Sequence, residues 1–400
     1  KGILMYLFTS EAVSAGHPDK CADIIADTIV DTILQNDADA RIASEVFVAG
    51  KNIAIGGEVT TKNDLTNEDY HNIIRKALIN IGYTGNGGFD RKECLYPDDI
   101  EISNFLNRQS PDINQGVDQE DGEIGAGDQG LMFGYACAET DEYMPQALTY
   151  ARQLCDTIYQ HALSHPDTLG VDIKTQVTID YGNKSNFEQA IPGKIHTIVA
   201  SAPSQRDMDI TEARTLIMDL IQKSGLKLES DTIIHINPTG RYVNHSPLYD
   251  SGLTGRKLIV DSFGGYAPIG GGAQSSKDYT KVDRSGLYAG RWIAKQIVAA
   301  GLSKKALVQL SYAIGVAKPV SVSVDMMGTA LVNIDDETLS NLVHKRYSLT
   351  PKWITDRFDL SNPKEGHFLY ADVAARGQVG FSDYPWEKLD DVDYFKSLIK

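Results

Sequence analysis

Residues 270–284 read Gly270-Gly-Gly-Ala-Gln-Ser-Ser-Lys-Asp-Tyr-Thr-Lys-Val-Asp-Arg284. Three glycines leave the backbone open to close approach, and Lys277, Lys281 and Asp283 follow them. Open amides, mobile cations and a carboxylate able to hold a metal ion are what a polyphosphate site requires. The segment is not a P-loop, because Gly-x-x-x-x-Gly-Lys-Ser/Thr does not occur in the sequence. The alternative is a surface turn before a helix that begins near Arg284.

Composition limits the class of protein. A chain of 400 residues is long enough for two or three domains. Its hydrophobic share of 42% and charged share of 23% are typical of soluble globular proteins, and we expect no membrane partner and no signal peptide. A net charge of −16 argues against nucleic acid as a partner. Scattered cysteines favour neither a zinc site nor disulfides, so a cytoplasmic location is expected.

The segment 9–35 predicts a turn followed by a helix. Gly16-His17-Pro18-Asp19 forms the turn, and apolar residues then recur at helical spacing. His17, Asp19 and Lys20 would crowd the helix N-terminus, where backbone amides attract anions. The alternative for His17 is a hydrogen-bonded turn histidine without function. Further acidic residues recur every four positions and are interpreted as the solvated face of the helix: Asp23, Asp27 and Asp31.

The next region predicts a β-hairpin over residues 41–61, with Glu45 and Glu58 inside its strands. A helix is expected from about Thr66 to Asn80, with Thr66 as its cap and Gly82 as its end. A long polar loop then leads to Gly125-Ala-Gly-Asp-Gln-Gly130. This matches the dinucleotide fingerprint, but acidic loop precedes it and a strand follows it, so we reject that interpretation. A tight turn with Asp128 as a cap is the alternative.

The remaining sequence alternates helices with strands and hairpins, and it lacks linkers rich in Pro or Ser. This predicts α+β layers and not a doubly wound parallel sheet. Arg256 and Lys257 follow glycines at the predicted start of a strand, where they are either phosphate ligands or a solvated strand end. No Ser-His-Asp or Cys-His arrangement is visible. The cations therefore indicate stabilisation of a highly charged leaving group without a covalent protein intermediate.

Four motifs in order carry a family resemblance: Gly16-His-Pro-Asp-Lys20, Gly125-Ala-Gly-Asp-Gln-Gly130, Gly252-Leu-Thr-Gly-Arg-Lys257 and the 270–284 segment. Each motif alone is weakly specific, but the ordered set is highly specific. Together they closely resemble the S-adenosylmethionine synthetases (methionine adenosyltransferases) of bacterial and eukaryotic type. The resemblance extends from about Leu7 to Lys388.

The resemblance implies a reaction. Methionine sulfur attacks C5′ of ATP in line and expels triphosphate, which is then cleaved to pyrophosphate and phosphate. It implies two Mg²⁺ ions and one K⁺ ion per site. His17 would lie against the breaking C5′–O bond, Asp19 and Asp283 would each bind a Mg²⁺, and Glu45 would bind the K⁺. The implied phosphate ligands are Lys174, Arg256, Lys257 and Lys277. The implied methionine and nucleoside contacts are Glu58, Gln109, Asp128, Asp172, Tyr242, Asp250, Ala273, Lys281 and Ile314.

The resemblance also implies an architecture. The family has three similar α+β domains in a pseudo-threefold arrangement, built from non-consecutive segments. We therefore expect residues 1–12 with about 130–270 to form one or two domains, about 13–125 an N-terminal domain, and about 271–400 a C-terminal segment. Residues 103–123 would include a gating loop. Sites between two subunits imply an obligate dimer, paired into a homotetramer.

Four departures from the family pattern stand out. Gln274, Ser276 and Tyr279 replace Phe, Gly and Pro in the glycine-rich loop. Pro268-Ile269 replaces a basic-plus-His pair, Gly286-Leu287 replaces Ala-Ala, and residues 374–380 replace Ala-Ala-Tyr-Gly-His-Phe-Gly. The charged residues assigned above to the site are all retained. The departures are expected to affect triphosphate hydrolysis more than synthesis.

Two other interpretations remain open from the sequence. The changed loop fits a catalytically weak paralogue that binds ATP or S-adenosylmethionine as a regulatory subunit. Retention of the charged site residues argues against it. An unrelated Mg²⁺-dependent phosphotransferase is the third interpretation, and the ordered motifs argue against that one.

Overall fold

The computed structural model describes residues 5–85, 88–108 and 123–399. Helices and three separate β-sheets make up this part of the chain, which confirms the predicted α+β class. Among the described residues, no helix has the length and hydrophobicity needed to cross a membrane.

The first sheet joins the N-terminal strand to strands from the middle of the chain. Its order is β1-β6-β7-β8, formed by Leu7–Val13, Lys174–Asp180, Lys194–Ser201 and Ile233–Ile236. The β7–β8 pair is parallel and the other two are antiparallel. Val13 lies opposite Lys174, so the start of β6 lies beside the segment that leads to His17.

The other two sheets are also assembled from distant segments. The second has the order β4-β3-β2-β9, formed by Glu101–Asn107, Asn52–Thr60, Arg41–Ala49 and Gly252–Leu253. The third has the order β11-β10-β5, formed by Ser321–Asp325, Lys305–Tyr312 and Gly130–Cys137. The predicted 41–61 hairpin is confirmed as β2 and β3. The expectation of non-consecutive segments is confirmed as well.

The helices pack on these sheets and form most of the C-terminal part of the chain. In chain order they are α1 Pro18–Asn36, α2 Asn67–Ile81, α3 Gln146–Ser164, α4 Lys184–Glu188, α5 Ile210–Lys223, α6 Leu258–Asp261, α7 Val282–Ala299, α8 Asp336–Arg346, α9 Pro351–Phe358, α10 Tyr370–Arg376 and α11 Val392–Lys396. The predicted caps of α2 are confirmed, because Thr66 and Asp69 form a capping box and Gly82 adopts a left-handed conformation.

Helix α1 is buried on nearly all sides, and the predicted solvated face is wrong. Asp23, Asp27 and Asp31 are 2%, 0% and 5% exposed. Ile25 and Ile29 on other faces are fully buried too, so the acidic stripe is not a solvated face. Buried carboxylates need hydrogen-bond partners, and here each turn of α1 finds them in a different segment of the chain.

The acidic residues of α1 accept hydrogen bonds from backbone amides. The amide of Gly255 donates to Asp23 over 2.9 Å, and that of Ser276 donates to Asp27 over 2.9 Å. The amides of Tyr370 and Ala371 both donate to Asp31 over 2.9 Å. A helix that looked like a surface element from its sequence is therefore the element to which three distant segments are attached.

Helix α7 lies directly against the third sheet. A Cβ added to Gly134 of β5 would lie 1.8 Å from the carbonyl carbon of Gly290 in α7, so only glycine fits this crossing. The contact places the N-terminus of α7 beside the start of β5, where a Cβ on Gly130 would lie 3.5 Å from a carboxylate oxygen of Asp283.

A further local prediction is wrong. Arg256 and Lys257 do not begin a strand, because Lys257 is the N-cap of the short helix α6. The error comes from a short segment whose conformation is decided by tertiary contacts and not by local propensity. Within the segment 103–123, which is expected to include a gating loop, residues 103–107 belong to strand β4, and residues 109–122 lie outside the described residues.

Candidate active site

His17 is the N-cap of α1, and its imidazole is neutral. The backbone N–H of Asp19 donates to His17 Nδ1 over 3.1 Å, which leaves the proton of the neutral ring on Nε2. Burial lowers the pKa of His17 to about 3, and the nearby charges of Lys174 and Lys257 contribute to this shift. The residue thus presents a neutral N–H donor among cations.

Asp19 gathers the cations of the 252–257 segment. Lys257 Nζ lies 2.5 Å from Asp19 Oδ2, and Arg256 Nε lies 3.5 Å from Oδ1. The amide of Leu253 donates to Oδ1 over 3.1 Å. Burial alone would raise the pKa of Asp19, but the hydrogen bonds from Lys257 and Leu253 lower it. Asp19 is therefore an ionised carboxylate with two cations beside it.

Asp172 adds a second buried carboxylate to this region. Tyr242 Oη donates to Asp172 Oδ2 over 3.0 Å, and the amide of Ser246 donates over 3.2 Å. Burial raises the pKa of Asp172 to about 6; the Lys174 charge opposes this shift and that of Asp250 adds to it. Oδ1 of Asp172 is buried without a hydrogen-bond partner among the described residues, which leaves one acceptor free for a ligand.

The 270–284 segment forms a second group of charges at the N-terminus of α7. Lys277 Nζ lies 2.6 Å from Asp283 Oδ2. A Cβ on Gly272 would lie 2.2 Å from the same oxygen, so glycine lets this backbone pass over the carboxylate. Residues 274–276 and 278–285 are buried, and the alternative of a surface turn is wrong for this stretch. Ala273 lies next to the 252–257 segment, since a Cβ added to Gly255 would lie 2.7 Å from the Cβ of Ala273.

Lys281 forms an ion pair inside the loop. Its Nζ lies 2.6 Å from Oδ2 of Asp278, which is fully buried. Burial alone would raise the pKa of Asp278, but Lys281 and Arg41 lower it. The contact with Asp278 gives Lys281 a structural role in addition to any role in binding.

Two predicted contacts from other segments lie next to this loop. The amide of Gly127, adjacent to Asp128, donates to the carbonyl of Thr280 over 3.2 Å. The amide of Gly315, adjacent to Ile314, donates to the carbonyl of Ala126 over 2.8 Å. The 125–130 and 313–316 turns are therefore layered on the charged loop, with Ile314 exposed.

Glu45 and Glu58 lie on neighbouring strands of the second sheet, where both line a depression of about 400 Å³. An isolated bridge between Ala43 and Lys277 attaches strand β2 to the loop. The depression is also lined by the exposed apolar side chains of Phe47, Phe105 and Leu253. Gln109 lies outside the described residues.

The carboxylates fit Mg²⁺ that arrives with a polyphosphate. No cluster of three or more His, Cys, Asp or Glu side chains able to hold a metal occurs within residues 5–85, 88–108 and 123–399. Mg²⁺ does not need such a cluster, since it usually takes one or two carboxylates and completes its octahedron with phosphate and water. Asp19 and Asp283 each supply one carboxylate beside candidate phosphate-binding cations. A K⁺ at Glu45 stays a prediction.

Several departures from the family pattern are buried next to the loop, among them Gln274, Ser276, Tyr279 and Gln378. Tyr279 Oη donates to the carbonyl of Ala38 over 2.8 Å. The Gln378 side-chain amide lies 3.4 Å from Ser275 Oγ, and Tyr288 Oη donates to Gln378 Oε1 over 2.6 Å. Tyr279 thus binds the loop to Ala38, and Gln378 contacts the loop on its buried side. The charged residues Lys277, Lys281 and Asp283 are unchanged.

Ser276 is held in a strained backbone conformation. Its φ is +83°, a region that favours glycine, and its hydroxyl is buried without a hydrogen-bond partner among the described residues. Glycine is the residue that the family pattern has at this position. The strained residue lies directly before Lys277, so the strain is located beside the charged part of the loop.

We expect Ser276→Gly to raise the free energy of unfolding by about 1 kcal/mol, because relief of the positive φ exceeds the entropy that glycine adds to the unfolded chain. Urea unfolding of both proteins measures the difference. Ser275→Gly is the matched control, since Ser275 has no positive φ, and it should destabilise the protein. A loss of stability in Ser276→Gly would contradict the assigned strain.

The sequence interpretation missed the residues that hold the site together. Asp23 and Asp27 bind the two loops that carry the cations. Lys20, which the sequence placed with His17 and Asp19 in an anion-attracting group, is buried and binds Asp261, with both carboxylate oxygens 2.7 Å from its Nζ. One signal was present: the four-residue spacing of the acids begins at Asp19, a predicted site residue. Because the acidic stripe begins at a predicted site residue, its next members could have been predicted to support the site.

Comparison with known proteins gives the family. Family models match three consecutive parts of the chain: the N-terminal domain of S-adenosylmethionine synthetase over residues 5–111, its central domain over 123–242 and its C-terminal domain over 245–388. This coverage excludes the unrelated phosphotransferase considered from the sequence.

Individual relatives are similar over nearly their whole lengths. The S-adenosylmethionine synthase of a Nitratiruptor species is 44% identical, with 99% of this chain and 98% of the relative covered. That of Chlorobium phaeobacteroides is 42% identical, with 98% of each covered. The solved structure of an unusual S-adenosylmethionine synthetase from Campylobacter jejuni is 62% identical with a TM-score of 0.94, covering 99% of this chain and 100% of that one. The chain therefore belongs to the S-adenosylmethionine synthetase family.

Proposed function

We propose that the protein makes S-adenosylmethionine from ATP and L-methionine, as a methionine adenosyltransferase, and then hydrolyses the bound triphosphate to pyrophosphate and phosphate. The observation that carries this proposal is the pairing of one carboxylate with cations at each of two helix N-termini: Asp19 with Lys257 at α1, and Asp283 with Lys277 at α7. Helix N-termini favour anions, and a departing polyphosphate needs several cations.

The first step requires no protein base. The methionine sulfur is already a nucleophile, so the barrier comes from separating C5′ from a highly charged oxygen. His17 is suited to that oxygen, because its neutral ring carries the proton on Nε2 and can donate a hydrogen bond as charge develops. A protonated imidazole is not needed, and burial together with the nearby lysines disfavours it by lowering the pKa of His17.

The cations take the charge of the leaving triphosphate. Lys174, Arg256, Lys257 and Lys277 are the proposed phosphate ligands. Lys257 and Lys277 are now paired with Asp19 and Asp283, so a phosphate can replace each carboxylate as the partner of the lysine. Asp19 and Asp283 would then each hold one Mg²⁺ ion, which would neutralise charge on the phosphate oxygens. Glu45 is the proposed K⁺ ligand.

The remaining predicted residues are assigned to methionine and the nucleoside. Asp172, Tyr242 and Asp250 lie on the side of Lys174, and Asp172 has an unpaired buried oxygen to offer. The other proposed contacts are Glu58 in the second sheet, Asp128, Ala273, Lys281 and Ile314 in or beside the 270–284 loop, and Gln109, which lies outside the described residues. The assignment of Lys281 requires that it serve a substrate while remaining paired with Asp278.

We also infer that each complete site is shared by two copies of the chain, in a homodimer that pairs into a homotetramer. The second sheet presents Phe47, Phe105 and Leu253, which are 44%, 65% and 38% exposed, around Glu45 and Glu58. Apolar side chains around two predicted ligands support contact with another copy. A measurement of the mass in solution distinguishes the dimer from the tetramer.

The pKa of Asp172 leads to a prediction about pH. Its pKa of about 6 means that the carboxylate is ionised at neutral pH and becomes protonated as the pH falls through about 6. The KM for ATP should therefore rise as the pH is lowered through this value. Steady-state kinetics across this range check the effect. In Asp172→Asn the KM for ATP should already be high at neutral pH and should not rise further as the pH falls through about 6. If the KM of this variant still rises as it does in the unmodified protein, the titrating group is another residue or ATP itself.

The mechanism can be tested with ATP that carries deuterium stereospecifically at C5′, in the presence of methionine, Mg²⁺ and K⁺. A single in-line attack predicts inversion at C5′ in the product. Retention would indicate a covalent protein intermediate and contradict the proposal. Bound ATP without any product would favour the regulatory-subunit interpretation, which the synthase relatives do not favour.

A further inference from the structure

The charged part of the 270–284 loop is fastened at both ends to one side chain of α1. The amide of Ser276, directly before Lys277, donates to Asp27 Oδ1 over 2.9 Å. Arg284, directly after Asp283, places Nη2 at 2.7 Å from Oδ1 and 2.6 Å from Oδ2 of the same carboxylate. Residues 277–283 therefore begin and end on Asp27.

The ion pair between Asp27 and Arg284 is buried and held by several hydrogen bonds. Asp27 and Arg284 are both 0% exposed. Arg284 Nε donates to the carbonyl of Gln274 over 2.5 Å, and its guanidinium lies 4.3 Å from the ring centre of Tyr370. A buried and multiply bonded ion pair has few alternative arrangements, because any other geometry leaves a charge without a partner. The loop is thus tied to α1, in addition to its pairing with strand β2 through Ala43 and Lys277.

The same helix carries His17 and Asp19 at its N-terminus, roughly two to three turns from Asp27 at 3.6 residues per turn. A rigid helix fixes the distance between its own residues. The N-terminus of α1 therefore holds the charged group around Asp19, and the middle of α1 holds the backbone of the loop that carries Lys277 and Asp283.

We propose that Asp27 is a positioning residue for polyphosphate binding: through Ser276 and Arg284 it sets the places of Lys277 and Asp283. The proposal rests on the phosphate and metal roles given above to those two residues. Asp27 itself does not touch the substrate. Its effect on the site is exerted through the two ends of the 277–283 segment.

The test measures the affinity of the folded protein for tripolyphosphate by calorimetry, first without and then with Mg²⁺. Asp27→Asn keeps the shape of the side chain but removes the charge that holds Arg284. We expect its affinity to fall by about tenfold to a hundredfold, the range seen when a partner that orients a ligand-binding group is removed. Urea unfolding of the same samples separates this loss from a loss of stability.

Asp31→Asn is the matched control. Asp31 lies one turn further along α1, is 5% exposed and accepts two backbone hydrogen bonds, but its partners Tyr370 and Ala371 belong to α10. It should lose stability and keep its affinity for tripolyphosphate. Equal losses of affinity in Asp27→Asn and Asp31→Asn would overturn the proposal, as would unchanged affinity in Asp27→Asn.

A double variant keeps the test decisive if Asp27→Asn fails to fold. Asp27→Leu with Arg284→Met removes both buried charges together, so neither is left unpaired. The double variant should fold, but its affinity for tripolyphosphate should be lower than that of the unmodified protein. The reason is that Ser276 loses its hydrogen bond to Asp27 and Gln274 loses its hydrogen bond from Arg284. If it does not fold while Asp31→Asn does, the pair belongs to the folding core and the positioning role is wrong.

The proposed function has its own control in this experiment. Lys277→Ala should weaken tripolyphosphate binding directly. If Lys277→Ala binds as tightly as the unmodified protein, the phosphate role of the loop is wrong. If Lys277→Ala is weak but Asp27→Asn is not, only the positioning role of Asp27 fails.

Discussion

His17→Asn is expected to lower kcat for S-adenosylmethionine formation by about two to three orders of magnitude, the cost of removing one donor aimed at a developing oxyanion. Asparagine is a good N-cap and can still accept the amide of Asp19. It is shorter than histidine, however, and cannot bring an N–H to the position of Nε2. The loss should therefore fall on kcat, while the KM for ATP and the free energy of unfolding change little.

The reason for a kcat effect is the charge state of the ring. With the pKa of His17 lowered to about 3, the imidazole is uncharged in the ground state at neutral pH and attracts the bound triphosphate only weakly. Its hydrogen bond strengthens when the C5′–O bond breaks, so it acts on the transition state more than on the ground state. Steady-state kinetics at saturating methionine measure the effect. A higher KM with unchanged kcat would instead make His17 an ordinary ATP contact.

Asp283→Asn is expected to lower turnover by about two to three orders of magnitude, since an interaction with a metal worth several kcal/mol is lost from the transition state. Asparagine has the same shape, and Lys277, its partner in the ion pair, is 15% exposed and can be solvated. The fold should therefore survive. The expected signature is a higher Mg²⁺ concentration at half-maximal activity, measured in a titration at fixed ATP.

Lys281→Ala is the less suitable variant for the same question. Removing this lysine leaves Asp278 fully buried with Arg41 as its remaining cation, so a loss of stability would accompany any loss of activity. Asp283→Asn avoids that ambiguity. If Asp283→Asn keeps near-normal turnover and an unchanged Mg²⁺ requirement, the metal assignment at α7 is wrong.

The sequence predicted local structure well where short-range chemistry determines it. Thr66, Asp69 and Gly82 define α2 through its caps, and the alternation of residues in 41–61 defines the hairpin. It also predicted that charges would gather near residues 17–19 and 277–283. These predictions rest on hydrogen bonds or charges between residues close in the chain.

The sequence failed where distant segments decide the environment of a side chain. Asp23, Asp27 and Asp31 form an acidic stripe of the kind that normally faces water. They are buried because Gly255, Ser276 and Tyr370, which are far away in the chain, bring their amides to α1. Ser276 was recognised as a departure, but its positive φ is a property of the folded loop and not of its residue type.

The central claim is that all three phosphates leave C5′ together. The most direct measurement is one incubation of the protein with ATP, methionine, Mg²⁺ and K⁺, in which S-adenosylmethionine, triphosphate, pyrophosphate, phosphate, ADP and AMP are followed together. We predict equal amounts of S-adenosylmethionine and total released triphosphate, the latter recovered as pyrophosphate plus phosphate or, if the altered loop slows hydrolysis, as triphosphate itself. Formation of ADP or AMP in step with ATP loss would place the cleavage between phosphates and contradict the account.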